Sequence, residues 1–230
     1  MMADHLVIAR PDGAPAQLML LFHGVGAAPE DMVPLGEHLA AAYPHACIVS
    51  VRAPQPADSG AGHQWFSVRA ISEENRAQRV AQALPGFIDT VRHWQDATGC
   101  SVEHTALIGF SQGAIMALES TRDRATVAGR VVSIGGRFAL LPQHANRDAT
   151  LFFLHGKEDT VIHYGYTVTA AEHIVALGGD VSADVLPHVG HTITAEMAAL
   201  LIERLQNHVP QRTWRAALHS DAPLAPKRSH

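Results

Sequence analysis

Cysteine, lysine and long apolar runs are all scarce in this 230-residue chain; the first and the last scarcity each exclude something, and the low lysine content carries no functional reading. Two cysteines, Cys47 and Cys100, do not make a disulfide framework, so buried or incidental thiols are expected. Lysine occurs only as Lys157 and Lys227. With a net charge of −5 and no basic cluster, the chain lacks the positive surface that nucleic acid requires. No stretch approaches the roughly 18 apolar residues that span a bilayer, so no integral membrane association is expected. The N-terminal apolar run is too short for a secretory signal core, and a cytoplasmic protein is the expectation. Internal repeats, metal-ligand spacings, phosphate-cradling loops and dinucleotide fingerprints are missing as well. Neither a metal nor any other cofactor is expected.

What the chain does have is an ordinary globular balance, 47% hydrophobic and 17% charged, with its apolar residues in short blocks. Leu18–Phe22 is uniformly apolar, as a strand covered on both faces requires. Similar runs recur at Cys47–Val51, Thr105–Ile108, Val131–Ile134, Leu151–Leu154 and Val181–Leu186, and Leu6–Ala9 offers an edge strand. Between them lie helical stripes. Val80, Leu84, Phe87, Ile88, Val91 and Trp94 share one face, although Pro85-Gly86 interrupts the pattern and leaves a kink or a split open. Met197, Leu200, Leu201 and Leu205 form another stripe, and a helix is expected from about Tyr164 to Leu177, stopped by Gly178-Gly179. Strands alternating with helices predict a mostly parallel sheet with helices on both faces. One domain is expected over residues 1–209. Residues 210–230 read as a peripheral tail, frayed at its end, with Trp214 and Leu218 as its anchors.

The chemistry concentrates at Gly109-Phe110-Ser111-Gln112-Gly113, between a strand-like and a helix-like run. A serine on a tight strand–helix turn is held out of the sheet with its oxygen exposed, and small flanking residues let the two elements approach. Taken alone the pentapeptide is also compatible with a turn devoid of chemistry. A serine nucleophile needs a base and a group to orient that base. Asp159 follows the Leu151–Leu154 run, and His191 follows Val181–Leu186 just before the last helical stripe. The chain order Ser111, Asp159, His191, each at a strand's carboxyl end, is the positional rule for such a triad. Among 16 histidines the rival base is His188; Glu158, Asp180 and Asp184 compete for the acid. Acyl transfer also needs donors for the developing oxyanion. The backbone N–H of Gln112 is one candidate. The N–H of Val25, in His23-Gly24-Val25-Gly26, is the other, with His23 itself read as a structural turn residue. The long Pro/Gly-rich loop Arg52–Ile71 carries Trp65 and Phe66, read either as a wall of the substrate pocket or as an anchor.

At these residues the chain resembles an α/β-hydrolase of the carboxylesterase/phospholipase branch that includes acyl-protein thioesterases. Phe22-His23-Gly24-Val25-Gly26, Gly109 to Ala114, Gly156 with Asp159 and Val161, and Gly190-His191 match in order, over about Leu18 to Leu205. Gln64-Trp65-Phe66-Ser67 and Gly113 to Ser120 make it similar to a small bacterial esterase type of that branch. The resemblance implies the α/β-hydrolase fold without a large cap, because only about 15 residues separate Ile134 from Leu151. It implies Ser111, Asp159 and His191 as triad, Val25 and Gln112 as oxyanion donors, and Trp65-Phe66 beside the acyl site. One departure is Ala27, where many relatives carry Asp. The expected activity is hydrolysis of small carboxylic esters, with thioesters as an extension, through an acyl-enzyme. A peptidase or amidase on the same machinery and a hydrolase-like binding module are the rivals.

Overall fold

The computed structural model describes residues 5–122 and 125–219. In chain order these form β1 (Leu6–Ala9), β2 (Gln17–Phe22), α1 (Val33–Ala42), β3 (Ala46–Val51), a small hairpin of β4 (Gln55–Pro56) and β5 (His63–Gln64), and α2 (Glu73–Thr98). Then come β6 (Thr105–Phe110), α3 (Gln112–Glu119), β7 (Arg130–Ile134), β8 (Thr150–Gly156), α4 (Gly165–Ala176), β9 (Asp180–Leu186), α5 (Ala195–Asn207) and α6 (Gln211–His219). Seven of these strands make one sheet in the order β1-β3-β2-β6-β7-β8-β9. Every pairing in it is parallel except that of β1, the antiparallel edge strand against β3.

The uniform apolarity of the central strands follows from burial on two faces. Leu18, Leu20 and Phe22 of β2 point into the layer shared with α2, α3 and α4, while Met19 and Leu21 point into the layer shared with α1 and α5. This alternation within an unbroken apolar run is the two-residue period of a strand with both sides covered. The fold is that of the α/β-hydrolases, and no inserted cap separates β7 from β8. Among the described residues no helix is long and apolar enough to cross a membrane.

One alternative left open by the sequence is resolved, and one reading needs correction. Pro85 does not split the helix it interrupts: α2 runs unbroken for 26 residues. The missing N–H and the ring clash cost about 3 kcal/mol in a helix interior, but Val80, Phe87 and Val91 bury one continuous face on both sides of Pro85 and offset that loss. The tail is held differently. Helix α6 docks through Arg212 to Thr150 Oγ1 at 3.2 Å, Arg215 to the Gly178 carbonyl at 3.0 Å and the Gln211 N–H to Asp180 at 3.0 Å. Trp214 and Leu218 face solvent, 61% and 82% exposed, so they are not its anchors. The expected fraying at the chain end lies outside the described residues.

Candidate active site

Ser111 stands between β6 and α3 with φ 51° and ψ −114°, a left-handed conformation that non-glycine residues seldom adopt. Two glycines make that elbow sterically feasible. A Cβ on Gly109 would lie 2.4 Å from the Ala114 nitrogen, and one on Gly113 would lie 2.2 Å from the Phe22 carbonyl oxygen. Strand, turn and helix therefore pack backbone to backbone. The Ser111 N–H is tied to the Ile134 carbonyl at 2.9 Å. What remains for the serine side chain is to project above the carboxyl edge of the sheet.

Asp159 and His191 reach the same edge from the loops after β8 and β9. His191 Nε2 lies 2.9 Å from Ser111 Oγ, and His191 Nδ1 lies 2.6 Å from Asp159 Oδ2. With Nδ1–H donating to the carboxylate, Nε2 is left as the acceptor of the serine proton. The other Asp159 oxygen accepts the N–H groups of Val161 and Ile162 at 2.8 and 2.9 Å. Burial is the largest influence on this carboxyl and pushes it up. The His191 hydrogen bond and the two backbone donors outweigh burial and hold it below its ordinary value. Asp159 is thus an ionised, buried acceptor.

The rival residues go elsewhere. Glu158 and His188 pair with each other at 3.1 Å on the surface, where the His188 side chain is 90% exposed. Asp184 is bound through both oxygens by Arg204 of α5, at 2.7 and 2.9 Å. Asp180 lies at the opposite edge of the sheet, accepting from Thr150 and His208.

The loop after β2 closes the site from another side. Gly24 lies so close that a Cβ there would meet Ser111 Cβ at 3.3 Å. Gln112 is the first residue of α3, so its N–H has no acceptor within the helix. Val25, Ser111 and Gln112 line one cavity of about 320 Å³ together with Phe66, Ile115 and Ile162. A second hollow, of about 480 Å³, meets Val25, Phe110 and His191 from the other direction. A further hollow, about 790 Å³ beside Leu84, Ile88 and Glu119, contains none of the candidate site residues.

The paired aromatics divide their roles. Phe66 lines the cavity that holds Ser111, but Trp65 does not. Trp65 is 3% exposed, stacks edge-on against Phe22 and Phe87 with centroids 5.5 Å away, and donates its Nε1–H to the His23 carbonyl at 2.9 Å. The Trp65 ring is thus committed to three core neighbours, the placement an anchor of the loop would have.

Several contributors escaped the sequence reading. The Gln112 side chain accepts the Trp65 N–H at 2.8 Å and donates to the Phe66 carbonyl at 2.7 Å, pinning the 52–71 loop to the helix behind Ser111. Asp58 gathers the far side of that loop, accepting from the Gln64 and Ser67 side chains and the N–H groups of Val68 and Arg69. Those bonds, the two side-chain donors foremost, hold its carboxyl down to about 2. His155 is fully buried under Asp159, its Nε2 2.7 Å from the Ile162 carbonyl and 3.2 Å from Asp159 Oδ2. Nε2 must carry the proton to satisfy that carbonyl, so Nδ1 accepts from Thr167 Oγ1 at 2.8 Å. Burial pushes the His155 ring down, so it remains a neutral donor. The only signal for His155 was its place in the segment preceding Asp159. Among the described residues no group of three or more His, Cys, Asp or Glu is placed to hold a metal ion.

A sequence model of the Phospholipase/Carboxylesterase family matches residues 3–209. Esterase YpfH of Escherichia coli (strain K12) is 42% identical over 220 residues, which cover 96% of this chain and 95% of that protein. Acyl-protein thioesterase 1 of Yarrowia lipolytica (strain CLIB 122 / E 150) is 25% identical over 119 residues, covering 48% of this chain and 52% of that one. Among solved structures, esterase PE8 superimposes with a TM-score of 0.79 at 23% identity, over 90% of this chain and 99% of the other, a likeness of fold.

Proposed function

This chain belongs to the phospholipase/carboxylesterase family of α/β-hydrolases, and we propose that it cleaves carboxylic esters, and thioesters of the same acyl groups, through an acyl-enzyme on Ser111. The enzyme is of carboxylesterase type; what is proposed is the residues that carry the reaction and its reach. The hydrogen-bonded chain from Ser111 Oγ through His191 to Asp159, at 2.9 and 2.6 Å, carries the reading.

Ser111 Oγ attacks the acyl carbon while His191 Nε2 takes its proton. Asp159, ionised and fixed by two backbone donors, holds the ring in the receptive tautomer and stabilises the imidazolium. The carbonyl oxygen becomes an oxyanion between the N–H groups of Val25 and Gln112. One donor of this kind is worth about 2.7–4 kcal/mol of transition-state stabilisation. Collapse of the tetrahedral intermediate expels the alcohol or thiol, which receives the proton from His191. Water then repeats the sequence, with His191 as base, and frees the acid. Residues 1–209 are read as the hydrolase domain and 210–230 as a peripheral tail.

The test is hydrolysis of a chromogenic acetyl ester together with covalent labelling by a fluorophosphonate. Both should disappear in Ser111→Ala while the melting temperature is kept. A Ser111→Ala protein that still labels would move the nucleophile elsewhere. A wild-type protein that cleaves amides at least as well as matched esters would replace the esterase reading with an amidase.

A further inference from the structure

The two hollows beside Ser111 are not equivalent. His191 must hand its proton to the leaving oxygen, so the leaving group belongs on the side where His191 is exposed to the hollow. The cavity of about 320 Å³, which holds Ser111, Val25 and Gln112 but not His191, is then left for the acyl group. At about 30 Å³ per water-sized group, it has room for about ten non-hydrogen atoms.

Next to Ser111 this acyl cavity is apolar, walled by Phe66 and Ile115, but it also contains Glu73, Arg76 and Arg137. Arg137 binds both oxygens of Glu73, at 3.1 and 2.6 Å, donates Nε–H to the Phe138 carbonyl at 3.1 Å, and lies 3.8 Å over the Tyr166 ring. That pair already braces α2 against the segment after β7. Arg76 adds a second guanidinium to the same carboxylate through one nitrogen only, at 3.2 Å, and its buried Nε–H has no acceptor. A guanidinium offers five donors in a planar fork suited to carboxylates. Two guanidiniums on one carboxylate leave an excess positive charge on the wall of a cavity otherwise built for an apolar chain. As a brace the second cation is redundant, which leaves its charge for a ligand in the cavity it lines.

We infer that the acyl group this enzyme accepts ends in a carboxylate, making its substrates half-esters of short dicarboxylic acids, with Arg76 as the specificity residue and Arg137 as its fixed companion. The inference rests on the esterase reading above and deepens it. The experiment compares kcat/KM of the full-length protein for an aryl half-ester of glutaric acid and the aryl ester of valeric acid, which has the same chain length. Wild type should prefer the half-ester by about 10-fold or more, the scale of one charge-assisted hydrogen-bonded pair. Arg76→Gln should bring that ratio to about one, and Arg76→Lys should restore part of it. In parallel, Ser111→Ala protein titrated by calorimetry with monoethyl glutarate should bind it, and adding Arg76→Gln should remove the binding. If the valerate ester is cleaved in a Ser111-dependent way with no preference for the half-ester and no effect of Arg76→Gln on the ratio, the inference is overturned and the esterase reading stands. If neither ester is cleaved, the esterase reading fails, and the calorimetry alone decides the anion site: Arg76-dependent binding supports it, and no binding overturns it.

Discussion

Replacing Trp65 by alanine separates an anchor from a pocket wall. The indole is almost fully buried among Phe22, Phe87 and His23, and its Nε1–H is spent on a backbone carbonyl. Truncating a buried tryptophan costs about 3–5 kcal/mol, a figure that includes the loss of ring–ring geometry and of one hydrogen bond worth about 1 kcal/mol. A chain of this size loses about 2–4 °C of Tm per kcal/mol, so the melting temperature should fall by roughly 6–20 °C. Since Trp65 does not line the acyl cavity, esters from acetyl to octanoyl should lose activity together, measured below the new melting temperature. Phe66→Ala supplies the contrast. Phe66 does line the cavity, so its loss should flatten the chain-length series, where each buried methylene contributes about 0.8 kcal/mol, or about fourfold in rate. Thermal melts and an ester series on both variants make the measurement. A Trp65→Ala protein with unchanged Tm and a flattened series would refute the anchor.

Asp159→Asn should lower kcat by roughly 10³- to 10⁴-fold, as when a triad base loses its tautomer, whereas Glu158→Gln, on the surface with His188, should stay within about twofold; exchanged behaviour in steady-state assays would overturn the choice of acid. kcat/KM should fall on acidification with a slope of one proton, because His191 accepts only when neutral while Asp159, held below its ordinary value, stays ionised through that range; a two-proton limb, or inhibition by EDTA that a divalent metal reverses, would contradict this. Asp58 is depressed from 3.8 to about 2, so the stability it lends the 52–71 loop is fully present above pH 3.8 and is lost as pH falls through about 2. Protection of the Val68 and Arg69 amides from hydrogen exchange should follow that course, and Asp58→Asn should lack it at neutral pH; equal protection in both proteins would show that the carboxylate does not hold the loop.

Most of the scaffold was legible because a strand covered on two faces must be apolar throughout. Leu18–Phe22, Cys47–Val51 and Leu151–Leu154 announced themselves that way, and each lies within the observed strand. The order Ser111, Asp159, His191 was legible because parallel strands bring their carboxyl ends to one edge, so chain order becomes position. What failed was whatever depends on the trade between distant parts of the chain. Pro85 could not be judged without knowing how much α2 buries on either side of it. The tail helix was misjudged for a related reason. Apolar residues are expected to dock, but Arg212 found the buried Thr150 hydroxyl and Arg215 the Gly178 carbonyl at the surface, and Trp214 was left outside.

The groups that hold the candidate site in place were invisible for a sharper reason: each acts through a contact whose partner is far along the chain or ambiguous in type. Only the backbone N–H of Gln112 has a task in the sequence; its side chain has none until its amide is seen to bridge Trp65 and Phe66, more than forty positions away. His155 is one histidine among 16, distinguished only by lying beneath Asp159 with one nitrogen committed to a carbonyl and the other to a hydroxyl. Such contacts are also what an elbow like Ser111 requires. A non-glycine residue in a sparsely populated conformation costs about 1–3 kcal/mol and persists only where its surroundings over-determine it. Here the Ile134 carbonyl, Gly24 against the serine Cβ, and Phe22 against Gly113 do so together. The strain sits at the one side chain that must project from the sheet, and the elements that sustain it are those that also bring Val25 and Gln112 to the same cavity.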